Sequence, residues 1–93
     1  MDKVYKALAH PVRREILKLL REGDLSAGDL AARFELSAST MSGHFAQLKD
    51  ANLINVDRKG TTLIYRVNLS VLEESMSALM AFFNLNEPSE EQQ

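Results

Sequence analysis

Ninety-three residues, 45% hydrophobic and 26% charged, provide for one soluble globular domain and leave no room for a second catalytic lobe. The longest apolar run, Ala78 to Phe83, is too short to span a bilayer, and no apolar segment follows Met1-Asp2-Lys3 as a secretory signal would, so a cytoplasmic location is expected. Cysteine is absent, which removes disulfides, thiolate metal ligands and a cysteine nucleophile, while the formal charge of −2 divides into +3 over residues 1–70 and −5 over 71–93.

Val4, Tyr5 and Leu8 mark a short first helix, closed by His10-Pro11 because a residue before proline is pushed out of the helical region. Pro11 suits the first position of a second helix, about 11–22, with Val12, Ile16, Leu19 and Leu20 along one face and Gly23 as its stop. Ser26 to Asp29 resembles a capping box and opens a third helix through Leu30, Ala31 and Phe34. After the break Glu35-Leu36-Ser37, Ser37 caps a fourth helix, about 38–51, whose inward stripe is Met41, Phe45 and Leu48. From Leu53 the period changes. Residues 53–58 and 62–68 are rich in β-branched side chains, and Lys59-Gly60-Thr61 between them reads as a hairpin turn. A last helix, about 70–84, is capped by Ser70, and residues 86–93 form an acidic tail too polar to pack. The fold class is mainly α with a small β-hairpin, in the order α-α-α-α-β-β-α, with one domain over 1–85.

The third and fourth helices, joined by a tight break, describe a helix–turn–helix. With Met41, Phe45 and Leu48 inward, the opposite face of the fourth helix presents Ser39, Thr40, Gly43, His44 and Gln47, and Ser42 joins His44 and Gln47 as a candidate for base reading. Short hydroxyls near its start, Ser37 among them, allow close approach to phosphates, where free N–H groups and the positive dipole end also point. Gln47 and His44 are long enough to reach base edges in a major groove. Arg58 and Lys59 make the hairpin tip basic, which suits phosphates.

Three stretches in order, Ala7-Leu-Ala-His-Pro-Val-Arg-Arg-Glu-Ile-Leu to Leu20, Leu36-Ser with Ser39-Thr-Met-Ser-Gly-His-Phe to Ile54, and Arg58-Lys-Gly with Tyr65, resemble the ArsR-type (ArsR/SmtB) winged helix–turn–helix repressors, closest to their SdpR-like subgroup. The resemblance covers about residues 2–84. It implies a cytoplasmic homodimer that binds an inverted-repeat operator on double-stranded DNA and represses transcription, with helix 38–51 in the major groove and hairpin 53–68 as the wing. Two positions depart from the family pattern. Gly43 stands where a histidine is common, which either permits closer approach to DNA or is simply tolerated. His10 stands where aspartate is common and reads as structural.

The ArsR-type metal positions are empty of suitable ligands here. Leu25 to Leu30 offers no soft ligand, the last helix has no histidine, and His10 and His44 lie in different elements, so no zinc set of three or four converging ligands can be assembled. No cofactor is expected. Without a nucleophile elbow or a glycine-rich phosphate loop the chain does not read as an enzyme. The last helix is apolar nearly all round after Glu74, so a second surface must cover it. A homodimer through Val4, Tyr5 and Leu8 of the first helix and Leu72, Met76, Leu79, Met80 and Phe83 of the last answers that need. A winged-helix module for protein contact alone, or a repressor with an apolar effector at the dimer interface, are the alternatives.

Overall fold

The computed structural model describes residues 2–85. Its elements are α1 (Asp2–Leu8), α2 (Pro11–Arg21), β1 (Leu25–Ser26), α3 (Ala27–Ala31), α4 (Ala38–Asp50), β2 (Ile54–Lys59), β3 (Thr62–Val67) and α5 (Leu69–Phe82). The three strands form an antiparallel sheet in the order β1-β3-β2. No helix among these residues is long and apolar enough to cross a membrane. The acidic tail, 86–93, lies outside the described residues.

Helix boundaries follow local chemistry. His10 is extended, at φ −110° and ψ 131°, and its Nδ1 accepts the Val12 N–H at 3.1 Å, which makes it the cap of a helix whose first residue is Pro11. The structural reading of His10 thus has a definite form. Ser26 caps α3 through the Asp29 N–H, 3.0 Å away. That helix stops at Ala31, short of Phe34, which sits in the following turn and packs against the core. The cap of α5 is Asn68 rather than Ser70: its Oδ1 accepts from the Val71 N–H, and the helix begins one residue before the serine.

Two asparagines end helices. Asn52 and Asn84 adopt left-handed φ values of 61° and 59°. After α4 the Leu53 N–H reaches Leu48 O and the Asn52 N–H reaches Lys49 O, both at 2.9 Å. After α5 the Leu85 N–H reaches Met80 O at 2.7 Å and the Asn84 N–H reaches Ala81 O at 3.0 Å. Both are Schellman motifs, which satisfy carbonyls that a helix end otherwise leaves free.

The core gathers under α4. Ile16, Leu20, Leu30, Met41, Leu48, Leu53 and Ile54 are fully buried, and Phe45 stacks on Tyr65 with ring centroids 4.7 Å apart, which seats α4 on the sheet. The buried face of α2 is Arg13, Ile16, Leu17 and Leu20, whereas Val12 and Leu19 are only half-buried. A charged side chain therefore stands in the apolar stripe, turning that face from its expected phase. The sheet also gains a strand that periodicity does not show. Leu25 and Ser26 pair with Tyr65 and Ile64, but two residues carry no period. At the hairpin, Lys59 pairs with Thr62, and Gly60 takes φ 65° at the first position of the two-residue turn, where an L side chain is strained.

Helix α5 joins this body at its first turns. Val71 and Leu72 pack on the core, Ser75 is buried, and the Tyr5 hydroxyl donates to Ser75 O at 3.2 Å. Beyond that the helix runs into solvent, and the molecule measures 57 × 23 × 20 Å. Leu79, Met80 and Phe82 lie exposed along it, and Phe83 and Leu85 just beyond its end. Val4, expected at a dimer surface, is only 6% exposed within its own protomer, because α1 turns it into the core.

The cap of α4 yields a stability test. Asn52→Ala forces a Cβ-bearing residue without a local hydrogen-bonding side chain into the left-handed region and is expected to cost about 1 kcal/mol in urea denaturation, whereas Asn52→Gly costs nothing or stabilises.

Candidate nucleic-acid interface

The α3–turn–α4 unit is organised from Ser37. Its Oγ accepts the Thr40 N–H at 3.1 Å, donates to Thr40 Oγ1 at 2.8 Å and lies 3.4 Å from Ser39 Oγ. Three exposed hydroxyls thus crowd the start of α4, around backbone N–H groups that the helix itself leaves unpaired. Ser39, Thr40, Ser42, Gly43 and Gln47 are all exposed, and Met41, Phe45 and Leu48 are buried as their spacing requires. A Cβ built on Gly43 would meet nothing within 4 Å. Internal packing therefore does not demand glycine there.

His44 does not belong to that face. The structure leaves it 8% exposed, between helices, with Nδ1 3.1 Å from Arg13 Nη1 and its ring centroid 4.5 Å from that of His10. The reason lies in its spacing: residues 41, 44, 45 and 48 follow the i, i+3, i+4, i+7 pattern of one helix face. Burial holds the His44 imidazole below its ordinary value, with His10 and Arg13 acting in the same direction. The two histidines, expected apart, thus adjoin, although His10 Nδ1 is occupied by the Val12 N–H and His44 Nδ1 by a guanidinium.

Sequence reasoning passed over Arg13. It is 9% exposed and donates from Nε to Ala7 O at 2.7 Å and from Nη2 to Lys6 O at 3.2 Å, while Arg14 Nη1 donates to Leu8 O at 2.8 Å. Consecutive arginines thus satisfy the last carbonyls of α1, the end where positive charge is also favoured by the helix dipole. An arginine at the i−3 position of Ile16-Leu17 in an apolar stripe was the available signal.

Arg58 and Lys59 stand exposed at the hairpin tip and form no ion pair among the described residues. Arg66, in contrast, is committed: it pairs with Asp57 across the hairpin and with Asp24 at 3.7 Å, tying the wing to the loop after α2. Such half-exposed pairs add little stability singly, but together they orient the hairpin.

A helix–turn–helix with a basic hairpin behind it defines a winged-helix protein. The chain matches the family model described as bacterial regulatory protein, arsR family, over residues 10–56. It is 42% identical to the transcriptional repressor SdpR of Bacillus subtilis, over 90% of this chain and 93% of that protein. It is 34% identical to the transcriptional activator HlyU of Vibrio cholerae, over 80% of this chain and 68% of the relative. Among solved structures, the homodimeric winged helix–turn–helix DNA-binding domain Mb0332 of Mycobacterium bovis, a possible ArsR-family regulator, superposes with a TM-score of 0.72 at 29% identity, covering 90% of this chain and 80% of that one. This protein belongs to the arsR family of bacterial regulatory proteins, a family of transcriptional regulators and not of enzymes.

The open environment of Gly43 makes it a test of the face. Gly43→Ala is expected to raise stability by about 1 kcal/mol in thermal or urea unfolding, since helix propensity improves with no clash inside the protomer.

Proposed function

We infer that this chain is a transcriptional repressor that binds an inverted-repeat operator as a homodimer and does not answer to metal or thiol chemistry. The observation that carries the reading is the division of α4 into a packed face and a solvent-facing strip of Ser39, Thr40, Ser42, Gly43 and Gln47. Ser37, Ser39, Thr40 and the first N–H groups of α4 suit phosphates, as do Arg58 and Lys59 of the wing. Ser42 and Gln47 suit base edges, and Gly43 admits the backbone close to them. The repressor sense is supported by the similarity to SdpR across nearly its whole length, against the shorter match to an activator.

Dimerisation is supported by α5. Leu79, Met80 and Phe83 are 37%, 42% and 58% exposed, and they continue the line of half-buried Leu72 and Met76, with Tyr5 of α1 bonded to the same helix and Leu8 half-buried on α1. A helix with that surface requires a cover, and a second copy offers the same face in return. The solved relative described as homodimeric is consistent with this arrangement. Metal indifference is supported by the chemistry of the residues: there is no cysteine, and the ring nitrogens of both histidines that face the protein are taken by N–H donors.

A twofold dimer would set two α4 helices about 34 Å apart, matching half-sites whose centres are separated by about 10 base pairs. Gln47→Ala is expected to cost about 1–3 kcal/mol on the operator and little on scrambled DNA. Arg58→Ala should weaken both alike and flatten the salt dependence by about 1 for each phosphate the side chain no longer neutralises. Binding isotherms at several salt concentrations check both, and equal factors on the two DNAs for both variants would contradict this division of labour. Leu79→Glu is expected to give monomers or unfolded chains, because it would bury an unpaired charge; sedimentation of the wild type as a monomer at tens of micromolar would contradict the dimer.

A further inference from the structure

The cluster of Arg13, His44 and His10 lies behind the exposed strip of α4 and touches three helices. Arg13 draws on two backbone carbonyls of α1 and on one ring nitrogen of α4, and it makes no ion pair with a carboxylate among the described residues. A guanidinium only donates, so His44 Nδ1 must accept, and the ring is neutral with its proton on Nε2. A second proton would turn that nitrogen into a donor aimed at a donor. The charged or titratable groups around it offer no compensation. Arg13 and His10 come from α2 and its cap, and Lys6, whose carbonyl Arg13 holds, comes from α1. Of the strands, β2 contributes the apolar Ile54 to the core and β3 contributes Tyr65, a neutral phenol whose ring stacks on Phe45.

We propose that Arg13 and His44 are positioning residues for DNA recognition: the guanidinium, held by the end of α1, fixes α4 through the unprotonated Nδ1 of His44, and operator binding weakens when that ring takes a second proton. The role rests on the DNA-binding reading above. Neither side chain need touch DNA, since His44 and Arg13 are both buried within the chain. Linkage gives the sign. The folded protein holds this ring below the ordinary 6.5, so its contribution to fold stability is complete above that pH and falls away between it and the folded value. In the folded protein the ring, and operator affinity with it, changes only as pH falls through that lower value. General electrostatics predicts the opposite for DNA affinity, because acidification adds positive charge. With two histidines in the chain, the two effects are separable.

The test measures binding to a labelled duplex from the region upstream of the protein's own gene, alongside circular dichroism and NMR of the His44 ring. As pH falls from about 7.5 through the ring titration, the wild type is expected to lose about fivefold or more in affinity with its helical signal retained, at a midpoint shared with that titration. His44→Asn, whose Oδ1 replaces Nδ1 as acceptor and does not titrate, should change less than about twofold. His10→Asn, which keeps a capping acceptor, should retain the wild-type loss. A wild-type affinity that stays flat or rises on acidification, a loss that follows unfolding, or a ring midpoint apart from the binding midpoint would each overturn the role. So would an unchanged loss in His44→Asn. In the free protein at neutral pH, NMR should find the Nε2–H tautomer. An Nδ1–H tautomer in a protein that binds DNA overturns the positioning role alone, whereas the expected tautomer in a protein that binds none at any pH overturns the DNA reading beneath it.

Discussion

A buried guanidinium has to find acceptors in place of water, and Arg13 finds them on two other helices. Its bonds to Lys6 O and Ala7 O close the end of α1, and its bond to His44 sets α4 against that corner. A seven-residue helix such as α1 is too short to be stable by itself, so the acceptance of its last carbonyls by Arg13 and Arg14 is part of what makes it a helix. The position of α4 in turn governs the hydroxyls and Gln47 on its far side. Removing one partner from such a cluster leaves the other buried and unsatisfied, which costs more than the bond itself contributes.

Helix α4 carries two demands at once. One face stacks Phe45 on Tyr65 and buries Met41 and Leu48, while the other must stay small, polar and open. Ser37 at one end and Asn52 at the other hold it to its length, so that neither demand is met by fraying. The hairpin is braced separately. Arg66 ties β3 to Asp57 and Asp24 and leaves Arg58 and Lys59 uncommitted at the tip. The paired Arg66 orients the wing, and Arg58 and Lys59, unpaired among the described residues, are left to meet an anion.

Much of this architecture was legible from residue order. The Pro11 start, the Ser26 and Ser37 caps, the apolar triad of α4 and the Gly60 turn all act within a few residues, where local chemistry decides the conformation. What escaped was of two kinds. Strand β1 and the Asn68 cap depend on a neighbour in space or on a single residue's competition with Ser70, neither of which periodicity reports. Arg13 and His44 escape a reading by residue type, because only their positions mark them as buried. Each stands in an i, i+3, i+4, i+7 stripe otherwise apolar, residues 13, 16, 17, 20 on α2 and 41, 44, 45, 48 on α4. Two polar intruders in two packed stripes are each other's natural partner, since each needs a hydrogen bond out of water. For the interface, exposure of the hydroxyls and Gln47 followed from the same triad that placed His44 wrongly among them.

In the proposed function, the open strip of α4 reads DNA in a twofold-symmetric pair. Footprinting of the purified protein on the region upstream of its own gene tests it most directly. One protected window is expected, spanning two inverted half-sites with centres about 10 base pairs apart, and it should require higher protein concentration when Gln47 is replaced by alanine. Protection without an inverted repeat, or a Gln47→Ala footprint identical to that of the wild type, would contradict it.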